Sequence, residues 1–201
     1  MGQRGPAAVF MPDKFVFPGG ALDPGDLDWP QAAAIDPESA RRLAIDTPPD
    51  VARALPLAAV RELWEETGLR LGLVDAAAVK AAETAPPVWR GFLAAGLRPR
   101  TEALRFVFRA ITPPGRPRRF DARFFLADAT ALADDHTDFT RGDAELSMLH
   151  WVDLEAAQAL PLPFITTVVL AEIEAAIEDR DGARPIPFFH HDDRGSHFRL
   201  I

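Results

Sequence analysis

Arg61-Glu62-Leu63-Trp64-Glu65-Glu66-Thr67-Gly68-Leu69 is the segment from which the fold can be read. Just upstream, Leu57, Val60, Leu63 and Trp64 recur at helical spacing opposite a charged stripe. Pro56 suits a first helical turn and Gly68 a stop, so a helix is expected between them. On that helix Glu62, Glu65 and Glu66 lie within i+3 and i+4 reach, crowding three carboxylates onto one patch. Each like-charge pair costs about 0.2–0.5 kcal/mol in an isolated helix. A divalent cation reverses that penalty by accepting hard oxygen ligands, and magnesium or manganese is the natural guest. Arg61, one turn before Glu65, can fix that carboxylate's rotamer without ligating metal itself. A solvated acidic face is the competing explanation when the helix is considered alone.

Working towards the N-terminus, Val9, Phe10, Phe15, Val16 and Phe17 suggest a strand broken at Pro12 and Asp13. It runs into Pro18-Gly19-Gly20, where glycine permits close backbone approach. Five residues separate Gly20 from an acid, Asp26. The two segments together resemble the Nudix box. Arg61 to Leu69 matches its second half, Arg-Glu-apolar-any-Glu-Glu-any-Gly-apolar, at every specified position. Gly20 to Asp26 matches the first half, with aspartate where the family has glutamate. The family places seven residues between that acid and the arginine, whereas Leu27 to Val60 supplies 34. Loop-closure entropy grows only logarithmically, so the enlargement is tolerable if both ends still meet. A similar interruption occurs in the subgroup resembling coenzyme A diphosphatases.

The resemblance implies an α/β fold, a Nudix-type α/β/α sandwich around a mixed β-sheet. It also implies a loop-helix-loop that binds Mg2+ or Mn2+, polarises a diphosphate and positions water for attack at phosphorus. Carried onto this sequence, the metal ligands are the Gly20 carbonyl, Glu62, Glu65 and Glu66, and the catalytic set is Arg61, Glu62, Glu65 and a later acid. Asp143 and Glu145 stand at a suitable place for that acid, and Glu145 is the choice, against the alternative of a solvated loop carboxylate. The implied activity is hydrolysis of a phosphoanhydride bond in a nucleoside diphosphate linked to another moiety. A non-catalytic nucleotide-sensing domain is the alternative. For the substrate, the alternative is a coenzyme A or acyl-coenzyme A derivative; Arg4 fits one position of that subgroup's upstream pattern, but Gly5, Val9 and Asp13 miss others.

The whole chain fits this reading. Its 201 residues argue for one domain, 1–201, with an insertion at about 27–56 that is mostly surface. A net charge of −8 gives little support to nucleic acid or anionic membrane as a partner, so cations for a polyanionic substrate must be supplied locally. With no cysteine there is no disulfide framework and no thiolate chemistry. No signal segment or apolar span is read, and a soluble, cytoplasmic protein is expected. Nudix domains usually carry a further strand ahead of the Phe-Pro-Gly-Gly loop, and only sixteen residues precede Phe17. A late or truncated start is therefore expected, with an incomplete sheet edge that favours homodimer formation.

Further elements follow from composition. A short helix is expected over Ser39 to Ile45, a second over Asp75 to Thr84, and another over Pro163 to Asp179. Leu104 to Thr112 and Phe120 to Ala127 read as paired strands about Pro113-Pro114-Gly115, with further strands at Leu149 to Leu154 and Pro185 to Ile201. Among Arg116, Arg118, Arg119 and Arg123, the pair Arg119 and Arg123 is the candidate phosphate binder, against ordinary surface charge. His190 and His191, beside Asp192 and Asp193, point to opposite strand faces and receive no role. Phe106, Phe108, Phe124 and Phe125 read as core, and Trp89 is weak evidence for base stacking.

Overall fold

The computed structural model describes residues 1–201 except 9–10, 30–33, 117, 180–181, 183 and 193–194. The chain begins with strands β1 (Gly2–Arg4) and β2 (Phe15–Val16), then helices α1 (Pro24–Leu27), α2 (Pro37–Leu43) and α3 (Pro49–Thr67). Strand β3 (Gly72–Val74), helices α4 (Ala78–Ala81) and α5 (Pro87–Ala94), and strands β4 (Leu97–Pro99), β5 (Arg105–Ile111) and β6 (Asp121–Leu126) follow. The last part holds β7 (Leu146–Ser147), α6 (Leu154–Ala157), α7 (Phe164–Glu178), β8 (Pro187–Asp192) and β9 (Gly195–Leu200).

A mixed four-stranded sheet has the order β6-β5-β8-β9, in which β5 and β8 are parallel and the other pairs antiparallel. A β-bulge decides how its faces are covered. The register of β5 on β6 slips between Phe106 and Phe108, and the extra residue turns the two rings to opposite sides. Phe106 packs with Leu43, Ile186, Ala52 and Leu55, under α2 and α3. Phe108 packs with Val169 and Ile165 of α7. Phe125 and Phe124 follow by ordinary strand alternation. Helices thus lie on both faces of a mixed sheet, the α/β/α sandwich expected, and the four phenylalanines belong to its core or its edge.

Two smaller sheets complete the frame. In the order β2-β1-β7, β1 is paired on both sides, and β3 pairs with β4. A large cluster of Leu57, Val60, Trp89, Phe92, Leu93 and Leu104 locks α3 to α5. Leu63 and Trp64 are partly buried against it.

Several local expectations are corrected. The long helix starts at Pro49, and Pro56 lies inside it, forgoing a bond to the Ala52 carbonyl. Proline at a first turn is the commoner arrangement, but here Pro49 takes that place. Within the stretch 27–56, Ser39, Arg42 and Leu43 of α2 are nonetheless buried. Ser39 Oγ accepts the Phe106 N–H at 3.0 Å, satisfying a donor beside the bulge. The helical stretch around 75–84 shrinks to α4, and α5 was not anticipated. Leu149 to Leu154 forms no strand; β7 precedes it, because pairing with Arg4 and Gln3 rather than its own composition makes the strand. Pro185 to Ile201 is a hairpin, not a single strand. Val9 and Phe10 lie outside the described residues, as does Asp193.

Candidate active site

The acidic end of α3 is assembled around Arg61. Its guanidinium is buried, and its Nε and Nη2 donate to the Asp26 carboxylate at 3.0–3.2 Å. Nη2 also donates to the Ala21 carbonyl at 2.8 Å, and Nη1 to Glu62 at 2.9 Å and Glu65 at 2.7 Å. Asp26 is 1% exposed. It receives the Asp23 N–H in a capping box at the start of α1 and the Trp89 indole N–H at 3.1 Å. Residues 26 and 61, far apart in sequence, therefore meet in a dry, fully bonded pair. Burial opposes the charge on Arg61, but the hydrogen bonds and attraction of Asp26, Glu62 and Glu65 keep it firmly protonated.

The glycine corner closes on this pair from the other side. Gly19 N–H donates to Glu66 at 2.7 Å. A Cβ on Gly20 would lie 2.6 Å from the Glu62 carboxyl carbon, so that carboxylate rests in the space a side chain would take. Burial raises the Glu62 carboxyl above its ordinary value, reinforced by Glu65 and Glu145 and opposed by Arg61. Burial also pushes Glu66 up to about 8; the Gly19 N–H opposes the shift, while Glu62, Glu145 and Asp143 add to it. Negative charge is in surplus where solvent is scarce.

The loop ahead of β7 supplies the remaining acids. Asp143 N–H donates to the Glu65 carbonyl at 2.7 Å, taking up one of the free carbonyls at the end of α3. Gly68, in the left-handed conformation at φ 77°, ends that helix against the Arg141–Gly142 backbone. Glu145 is paired with Arg4 at 3.1 Å, and β7, starting one residue later, pairs with β1. Three separate parts of the chain, the glycine corner, the α3 acids and this loop, converge at one end of the helix.

No protein-family model matches the sequence, and no match was found among curated proteins. Among solved structures, the chain is similar to a NUDIX hydrolase from Alicyclobacillus acidocaldarius. The likeness covers 85% of this chain and 80% of the other, with 27% identity and a TM-score of 0.50. The fold is of the Nudix type. Its two box halves, separated by 34 residues here, are brought together by the Asp26–Arg61 pair.

Glu62, Glu65 and Glu66 are hard oxygen donors of the kind a divalent cation takes, and Gly20 leaves no room for a side chain against Glu62. Among the described residues, no three His, Asp or Glu side chains converge in metal-ligand geometry. Glu62 and Glu65 are turned onto Arg61 and Glu66 onto Gly19.

Arg119 and Arg123 are not brought to this patch. The Arg123 side chain is 7% exposed and donates to the Asp121 carbonyl and to Thr47 Oγ1, just before the start of α3. Pro49, where α3 starts, precedes Glu65 by 16 residues, about 24 Å at the rise of a helix. Arg119 donates to the Thr112 carbonyl near the β5–β6 turn. Strand alternation turns Arg123 towards the α2 side of the sheet, where it shares Asp121 with Arg109. Trp89 is buried, with its indole committed to Asp26, and offers no stacking face. His190 lies against His197 and His191 against Ser196, on opposite faces of the hairpin. Among the described residues, no helix is long and apolar enough to cross a membrane.

Sequence reasoning missed Asp134. It accepts from Arg70 N, Nε and Nη2 and from Arg141 Nη1, at 2.6–3.0 Å. Nothing in the spacing of this aspartate marks it. By contrast, the Asp26–Arg61 contact was within reach of the box pattern, which places an acid at that position.

Proposed function

We propose that this chain hydrolyses a phosphoanhydride bond in a nucleoside diphosphate linked to another moiety, dependent on Mg2+ or Mn2+. The observation that carries the reading is the gathering of Glu62, Glu65 and Glu66 with the Gly19–Gly20 corner and the Asp143–Glu145 loop, in a place where burial and neighbouring acids raise the Glu62 and Glu66 carboxyls. The likeness to a NUDIX hydrolase supports the same reaction class. Glu62, Glu65, Glu66 and the Gly20 carbonyl would hold the cation. A bound divalent ion neutralises phosphate charge and lowers the pKa of water.

The chain's own residues have distinct parts. Arg61, anchored by Asp26, fixes the starting positions of Glu62 and Glu65. Glu145 stands on a separate loop, tied to Arg4 and near enough to the helix acids for its charge to raise both Glu62 and Glu66. In this reading it takes the proton of the attacking water, with Glu62 as ligand or alternate base. The product pair is two phosphorylated or nucleotide-like fragments.

The test is turnover of ADP-ribose, nucleotide sugars, coenzyme A and dinucleoside polyphosphates with Mg2+ or Mn2+, beside Glu65→Gln and Glu66→Gln. Metal-dependent release of phosphorylated products, lost in both variants, is expected. Tight nucleotide binding without turnover would establish the sensing alternative, and turnover indifferent to either substitution would defeat the site.

A further inference from the structure

We infer that Asp134 is a positioning residue that bolts the Asp143–Glu145 loop to the acidic end of α3; the inference rests on the hydrolase reading above. Asp134 lies outside the box and touches none of its carboxylates, yet its own carboxylate is buried and joins the two sides of the site. On one side is Arg70, which follows Leu69 at the end of the box and gives Asp134 three bonds, from its backbone N–H at 2.8 Å and its side chain at 3.0 and 2.6 Å. On the other is Arg141, whose Nη1 donates to Asp134 at 2.9 Å. With four donors on one carboxylate, its lone pairs are consumed, and it holds position rather than reacting.

What Arg141 carries is the acid loop. The next residue, Gly142, lies so close to α3 that a Cβ there would meet the Glu66 carbonyl oxygen at 2.6 Å. Asp143 then donates its N–H to the Glu65 carbonyl, and Glu145 follows two residues later. The Asp143 side chain accepts the Glu145 N–H at 2.9 Å, so the placement of one acid is passed to the other. Asp134 therefore sets the distance between the loop acids and Glu65 and Glu66. Losing such a supporting partner commonly costs about 10–100-fold in activity. Because the cation ligands on α3 stay in place, the loss falls on kcat more than on KM.

The experiment uses full-length protein carrying Asp134→Ala, and separately Arg141→Ala, which removes only the loop side of the junction should the first variant fold poorly. Each is also made in an Asp143→Asn/Glu145→Gln background. Hydrogen exchange of the segment 139–147 is compared with that of β5, and kcat and KM are measured on the substrate turned over best. Exchange in 139–147 at least about tenfold faster with β5 unchanged, and a kcat loss that disappears in the background lacking both loop acids, is the expected result. Unchanged loop exchange, or an equal kcat loss in both backgrounds, overturns the inference. Absence of turnover by the unaltered protein instead defeats the hydrolase reading, and the exchange comparison alone then decides whether Asp134 holds the loop.

Discussion

Gly68 and Gly142 meet backbone to backbone: a Cβ on Gly68 would fall 2.8 Å from the Gly142 nitrogen, and one on Gly142 would fall 3.0 Å from the Thr67 Cα. The obstructing atoms are main chain, which no rotamer change can move aside. Gly142→Ala is expected to destabilise the fold by about 1–3 kcal/mol, the usual cost of overpacking, and to push the acid loop off the helix. A urea midpoint equal to that of the unaltered protein would refute it.

The Asp26–Arg61 pair makes a second prediction. Removing one partner of a buried ion pair costs about 3–5 kcal/mol because the other charge is left stranded. Arg61 retains Glu62 and Glu65, so Asp26→Ala should fall near the lower figure, about 3 kcal/mol, in denaturant unfolding. Its indole partner provides a local reporter: Trp89 fluorescence should change in the folded variant. A change below about 1 kcal/mol would mean that the pair does not hold the two box halves together.

Glu66 sets a pH dependence. Its carboxyl is raised in the folded protein from an ordinary 4.5 to about 8, so the fold binds that proton more tightly than the unfolded chain does. Its contribution to stability is complete below about 4.5 and is lost as pH rises through about 8. Without divalent cations, thermal unfolding should therefore move to lower temperature across that interval. Mn2+ should offset the decline by displacing the proton, and calorimetry in buffers of differing ionisation enthalpy should record proton release on binding. Glu66→Gln should flatten the profile; an unaltered slope in that variant would reassign it to another group.

Gly20→Ala tests the glycine corner. The new methyl would compete with the Glu62 carboxylate, the end of a side chain that can swing away, so the fold should survive while the site is displaced. Misplacement by about 1 Å can cost on the order of 100-fold in rate, and a loss of about 10–100-fold is expected with little change in melting temperature. Full activity in the alanine variant would show that Glu62 need not occupy that space.

What the sequence disclosed follows from the range of the forces involved. Glu62, Glu65, Glu66 and Arg61 share one helix, and 3.6-residue geometry alone brings them together. The β5–β6 pair was legible because Phe106, Phe108, Phe124 and Phe125 favour strands and a proline-glycine turn divides them. Strands β1, β3, β4 and β7 are two or three residues long, too short for a period to show, and their neighbours define them. Arg123 was misread because charge and strand position do not reveal which layer a side chain enters; here Asp121 and Thr47 drew it towards α2. Asp134 gave no local sign, since its importance comes from Arg70 and Arg141, distant by 64 and seven residues.

The hydroxyl of Ser39 answers an amide that the irregularity in β5 would otherwise leave thirsty, and it does so from within the stretch between Asp26 and Arg61. That stretch is consequently a buttress rather than an ornament: cutting it short would strip a prop from the back of the sheet, and any attempt at miniaturisation must first find the Phe106 nitrogen a new companion.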